Sequence, residues 1–197
     1  MEAQHTETFA GEYYLEGVRE TASGFKLNTD HSFEFFFSYG ALDRGGEGAW
    51  KAIGNQVIFN SKKPKGQSFV LASHKSVDDD FITIKILEEN PSFLSGVYAI
   101  VNSGNVKLES MSEGGLIRFP RQPVDSIVLL FEFCAEKTAV FAFTNKAENY
   151  FEFRLDPSIM DVYFENVSLV MDSSGLSGQH PLLVDGEYRF IKKGSAE

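Results

Sequence analysis

At 197 residues, 43% of them hydrophobic and 23% charged, the chain is long enough for one large or two small domains and needs no staples to fold. Its net charge of −10 divides evenly, with 14 acids and 9 bases in each of residues 1–90 and 91–197, so neither half attracts a nucleic acid or an anionic membrane. One cysteine makes no internal disulfide, and no apolar run approaches the ~20 residues of a membrane-spanning helix.

The N-terminal stretch MEAQHTETFAGEYY has neither a basic start nor an apolar middle, so no signal peptide is expected in this chain. Its Met-Glu-Ala-Gln opening also fits the tail of a cleaved leader, which would place the protein in a periplasm or outside the cell; otherwise the cytoplasm is expected. From there the apolar residues recur every second position, the period of a strand. Phe33, Phe35, Phe37 and Tyr39 share one face, with Glu34, Phe36 and Ser38 on the other. The glycine-rich stretch GALDRGGEG, residues 40–48, reverses the chain and returns Trp50 over the same interior. Val57 and Phe59 alternate next, and the basic cluster KKPK at 62–65 reads as a solvated turn. Ile82, Ile84 and Ile86 complete about six strands. Phe36, on the opposite face, is expected to lie under the second half of the chain.

EENPSFLSG at 88–96 reads as a linker, because two acids, a proline and a glycine interrupt the alternation. Beyond it come Ile127/Leu129/Phe131/Phe133, Phe141/Phe143, Phe151/Phe153/Leu155 and Val162/Phe164, separated by turns such as NSGN, SEGG, TNK and VDG. Only DPSIMD at 156–161 suits a helical turn, with Pro157 at its start. The fold class is therefore all-β: a small β-barrel over residues 8–88, followed by a β-sandwich over residues 92–193. A barrel of about six strands holds little beyond its own side chains, so the aromatics are expected to fill it rather than line a ligand mouth.

Residues 11–61 carry a recurring pattern: Gly11 and Tyr13, Leu27 and Asp30, Tyr39 to Asp43, Gly48 and Trp50, then Gly54 and Val57. The pattern resembles that of poorly characterised bacterial proteins with a small lipocalin-like barrel. The chain departs from it at His31, where those proteins usually carry glycine. The later run from VYAIVNSGN to SEGGLIRFP resembles the transthyretin- or immunoglobulin-like regulatory module of carboxypeptidases. The first resemblance implies an envelope or secreted setting and brings no catalytic residues.

Constellations that suggest chemistry are thin. The histidines at 5, 31, 74 and 180 lack the short spacing of a zinc site. Ser73, His74 and Asp78–Asp80 sit in one loop, whereas triad members usually come from separate loops, and consecutive carboxylates converge poorly on calcium. Glu132 and Glu152 alternate with phenylalanines and would form a hydrolase pair only if they face each other across a cleft. Cys134 reads as a buried thiol. No catalytic, cofactor or metal residue is therefore assigned. The expected function is non-catalytic binding or structural support, with a protein, a surface polymer or a small apolar ligand as partner. The alternatives are a carrier holding an apolar ligand beside Trp50, and a hydrolase using the second half's acids. The candidate surface is Tyr39, Leu42, Asp43 and Arg44 with Trp50, although Leu42 also suits a plug for the barrel end.

Overall fold

Strands with aromatic residues at alternate positions have one face that must leave water, and here the sheet closes on itself to bury it. The computed structural model describes residues 9–62, 67–94, 96–102, 109–110, 115–134 and 136–194. The N-terminal stretch 1–8, most of the basic turn 62–65 and most of the NSGN and SEGG turns lie outside them. The described chain is all-β and forms two compact units, Met1–Pro64 with Met160–Glu197, and Lys65–Ile159.

The first unit opens with β1 (Gly11–Leu15), β2 (Thr21–Leu27), β3 (Ser32–Tyr39), β4 (Leu42–Ile53) and β5 (Gln56–Asn60). Its later strands are β14 (Val167–Met171), β15 (Gly175–Gly178) and β16 (Tyr188–Lys192). Together they make a closed barrel in the order β1-β16-β15-β14-β5-β4-β3-β2. The expected boundary at 88–92 is thus replaced by an insertion between β5 and β14. The physical reason is closure. Five strands in a row leave unpaired edges on β1 and β5, and the chain's last three strands supply the missing partners.

The barrel has eight strands rather than about six, yet its interior is filled. Phe25 packs against Phe33, Phe35, Phe59, Phe164 and Phe190 with ring centroids 4.7–6.5 Å apart, the spacing of favourable aromatic pairs. Phe164 lies outside any strand, in the segment that returns from the insertion. That segment runs beside β4, with Val162 N donating to Gly45 O and Ser61 N donating to Phe164 O. Its ring explains Gly46 of β4, whose hairpin turn is only Gly40-Ala41, with Gly40 at φ 59°. A Cβ at Gly46 would lie 2.7 Å from the Phe164 ring, and one at Gly48 only 2.2 Å from Asn60 O. Phe36 is 41% exposed on the outer face and rests against Tyr14 at 6.1 Å.

The second unit holds β6 (Phe69–Lys75), β7 (Phe81–Ile86), a one-turn helix α1 (Pro91–Leu94), β8 (Val97–Val101) and β9 (Glu109–Ser110). These are followed by β10 (Leu116–Pro120), β11 (Ser126–Phe131), β12 (Ala139–Ala142) and β13 (Tyr150–Leu155). They form two four-stranded sheets, β10-β7-β13-β6 and β12-β11-β8-β9. Ile82, Ile84, Phe151 and Phe153 of the first sheet and Ile127, Leu129 and Phe131 of the second are fully buried. Phe141 meets Phe153 across the layers at 4.8 Å, which makes the pair a β-sandwich. The sequence DPSIMD forms the expected turn, a 3₁₀ helix over Pro157–Met160.

Two neighbouring glycines separate ring packing from general strand effects. Gly46→Ala should cost about 1–3 kcal/mol in urea unfolding, because the Phe164 ring or the Val162 carbonyl must move. Gly45→Ala, whose added methyl meets nothing nearer than Phe35 O at 3.7 Å, should stay within about 0.5 kcal/mol of the parent. Equal losses in both would show that Phe164 does not dictate this strand's sequence.

Candidate functional site

The five residues of the sequence-predicted surface do not share one place. Tyr39 and Asp43 are exposed at the β3–β4 hairpin, while Leu42 packs against the barrel core. Arg44 is only 6% exposed and points inward, opposite Phe37 on β3. Its Nε donates to Met160 O at 3.3 Å and its Nη2 to Asp161 O at 3.5 Å, so the guanidinium ties β4 to the returning segment. Trp50 stands six residues further along β4, about 20 Å away. It is 2% exposed and donates from Nε1 to Asn28 O at 3.1 Å.

Beside it, His31 has the left-handed backbone (φ 67°) that a glycine would adopt without strain. Its imidazole lies 4.7 Å from the Trp50 ring, a contact that offsets part of the cost. Arg44 and Trp50 are therefore structural, at opposite ends of one strand.

Sequence reasoning missed the buried polar group of the barrel, His180. It sits in the loop between β15 and β16, stacked on Phe190 at 5.7 Å and close to Phe35 and Phe37. Its Nδ1 accepts backbone N–H groups from Leu182 at 3.0 Å and Leu183 at 3.2 Å. That leaves the proton on Nε2, which donates to Ser23 Oγ at 3.0 Å; Ser23 in turn donates to Phe36 O at 2.9 Å. A His–Ser contact invites a catalytic reading, but the arrangement is the reverse of a nucleophile with its base. The nitrogen facing the hydroxyl already carries a proton, and the hydroxyl proton is committed to a carbonyl. Burial lowers the His180 pKa to about 4 and keeps the ring neutral. The pair anchors Leu182 and Leu183 over the barrel mouth, where both pack on the core.

In the sandwich, the Ser73–Asp80 stretch is held by its neighbours. Buried Asn149 accepts from Val77 N through Oδ1 and donates through Nδ2 to Asp79 O and Phe81 O. Arg121 Nη1 donates to Val77 O and Asp79 O, so these two backbone carbonyls already have a cationic partner. The Asp79 carboxylate turns back to accept from Phe81 N. His74 pairs with Glu148 at 2.6 Å, away from Ser73, which donates to Glu152.

Glu132 and Glu152 lie in different parts of the sandwich, the first in a 3₁₀ turn after β11 and the second on β13. Tyr98 donates to Glu132 at 2.8 Å. Hydrogen bonds from Ser73 and Tyr150, with Lys85 nearby, hold the Glu152 carboxyl below the usual carboxylate range, unsuited to a general acid. Cys134 is buried, as its apolar setting implies.

What the sandwich does present is an outward apolar face. Between the buried residues of β8 and β11 stand Tyr98, Ile100, Val128 and Leu130, pointing outward and half-buried. Ile100, Val128 and Val140 align in one row across three strands, and Val140, on the edge strand β12, is 62% exposed. A recess of about 250 Å³ lined by Gln67, Ser68, Thr138, Ala139 and Val140 borders this edge. The signal was present in the sequence: VYAIV and SIVLLF are apolar at successive positions, as in strands covered on both sides. Comparison with protein-family models, curated proteins and solved structures found no match.

The buried imidazole makes a pH prediction. Unfolded, His180 titrates near 6.5; folded, at about 4. Between those values the unfolded chain binds the additional proton. The stability held by the neutral ring is complete above pH 6.5 and is lost as the pH falls through 4. Urea midpoints of the parent and His180→Gln should differ most at pH 7.5 and converge by about 2–3 kcal/mol toward pH 4. A pH-independent difference would place a protonated or solvated ring at this site.

Proposed function

We propose that the protein is a non-catalytic binding protein: the barrel is a filled structural body, and the inserted sandwich meets a protein partner through the face built on Tyr98, Ile100, Val128, Leu130 and Val140. The observation that carries this reading is the apolar row Ile100–Val128–Val140, which ends in an edge residue that is mostly exposed. Monomeric proteins rarely leave such a contiguous apolar face in water, and sheet strands apolar on both sides are normally covered twice. The resemblance of residues 11–61 to small lipocalin-like bacterial barrels supports the same division of labour, since it brings a barrel and no catalytic set. In this reading the likeness of Val97–Pro120 to a transthyretin- or immunoglobulin-like module describes the partner-binding insertion. An envelope or secreted setting follows from the first likeness.

A carrier role is disfavoured by the rings around Phe25, and a hydrolase by the neutral His180 ring that turns its N–H, not its lone pair, toward Ser23, and by the ionisation of Glu152. Photo-crosslinking in the source cell is expected to trap a discrete protein adduct from a photoreactive residue at position 140. The same residue at position 47, exposed on the barrel strand β4, should trap none. Identical adduct patterns from the two positions, or none from 140, would contradict the proposal. Native mass spectrometry of purified protein should give the bare chain mass; a stoichiometric apolar adduct would revive the carrier instead.

A further inference from the structure

The opposite side of the sandwich has a different chemistry, and it does not depend on the apolar face. On the sheet β10-β7-β13-β6, the residues that alternate with the buried ones point outward. They include Arg118 of β10, Lys85 of β7, Arg154 of β13 and Lys75 of β6, with Glu152 the one acid among them. Four of the seven bases in the unit's described residues thus share one face of a protein whose net charge is −10.

Two of these cations are held in place by aromatic rings: Lys75 Nζ lies 4.9 Å from the Tyr150 ring centre, and Arg118 Cζ lies 5.9 Å from that of Phe81. Lys85 faces Glu152 at 3.8 Å. Among the described residues no carboxylate lies within ion-pair distance of Lys75, Arg118 or Arg154. The row Arg118–Thr83–Tyr150–Lys75 crosses the whole sheet, so its end cations are separated by about three strand spacings, ~14 Å.

The geometry points to this face as a docking surface for an acidic polypeptide segment, a run of Asp and Glu side chains on a protein partner. Charge complementarity selects an anion. Cations steadied on ring faces lose little side-chain freedom when they bind, which favours carboxylates reached at separated points. The same ring faces are occupied, so they offer no stacking platform to bases or sugars. The chain's overall negative field also opposes a polymer with a phosphate on every residue more than it opposes a short acidic peptide.

The test is fluorescence anisotropy of the full-length protein with a labelled twelve-residue Asp/Glu peptide, a Gln/Ser peptide of equal length, a thymidine dodecamer and a uronate oligosaccharide. The acidic peptide is expected to bind with a Kd in the range of about 10–100 μM at low salt. The affinity should weaken roughly tenfold when salt is raised from 50 to 200 mM. Arg118→Glu with Arg154→Glu should abolish it, and Arg118→Gln with Arg154→Gln should weaken it at least about fivefold without lowering the thermal midpoint. Lys146→Glu, at an exposed lysine already paired with Asp125 on the other sheet's side, should leave it within about twofold. Absence of saturable peptide binding, indifference to both double changes, or tighter binding of the thymidine or uronate oligomer would each overturn the proposal.

Discussion

The structure depends on filling and closing the barrel, and both are completed by chain that arrives late. Five N-terminal strands present Phe25, Phe33, Phe35 and Phe59 to one interior but leave two edges open. Phe164, Phe190 and the strands β14–β16 come from beyond the insertion and supply the remaining rings and ladders. Each of these fully buried phenylalanines contributes about 2–3 kcal/mol, which the open five-stranded sheet would forfeit. The contact between Phe164 and Phe25 therefore spans the whole inserted unit. Such pairings close long loops before they return any stability, so the barrel is the slower part of the molecule to form.

The same closure dictates which polar groups are buried and how they are satisfied. The loop 179–187 crosses one barrel mouth, and its backbone N–H groups at Leu182 and Leu183 need acceptors. His180 provides one through Nδ1, which forces the proton to Nε2 and then calls for an acceptor on β2, met by Ser23. Arg44 answers a parallel need, because the returning segment exposes the carbonyls of Met160 and Asp161 beside β4. Residue types that elsewhere do chemistry are here consumed in joining chain segments. Their burial without a partner would cost more than any single hydrogen bond returns.

Period-two alternation marked the inner faces of most strands, since Phe33, Phe35, Phe37, Ile82, Ile84, Ile127, Leu129, Phe151 and Phe153 are all buried, but Phe133 falls in a 3₁₀ turn and Val162 and Phe164 lie outside any strand. Alternation does not name a strand's neighbour. For that reason the alternation alone places β6 and β7, which follow β5 in sequence, with the barrel, and β14–β16 with the sandwich. Gly46 and Gly48 looked like loop residues because the ring and carbonyl that exclude a side chain there come from positions 164 and 60. Arg44 looked like surface for the same reason: its partners lie more than a hundred positions away. The outward apolar face is legible in VYAIV and SIVLLF, where apolar residues occupy successive positions. The cationic face was not legible, because its members come from four strands whose order only the fold reveals.

Both units pair part of their surface charge. On the barrel, exposed ions neutralise one another: Lys26 with Glu34 and Lys193 with Glu12, each at 2.9 Å, and Arg189 with Asp172 at 3.5 Å. Such pairs add little stability. The insertion also pairs Lys85 with Glu152 and Lys146 with Asp125, and it carries the row Ile100–Val128–Val140 on one sheet and, among the described residues, three cations with no carboxylate within ion-pair distance on the other. It enters and leaves the barrel between β5 and β14, which are hydrogen-bonded neighbours, so its ends attach where the barrel already holds two strands together.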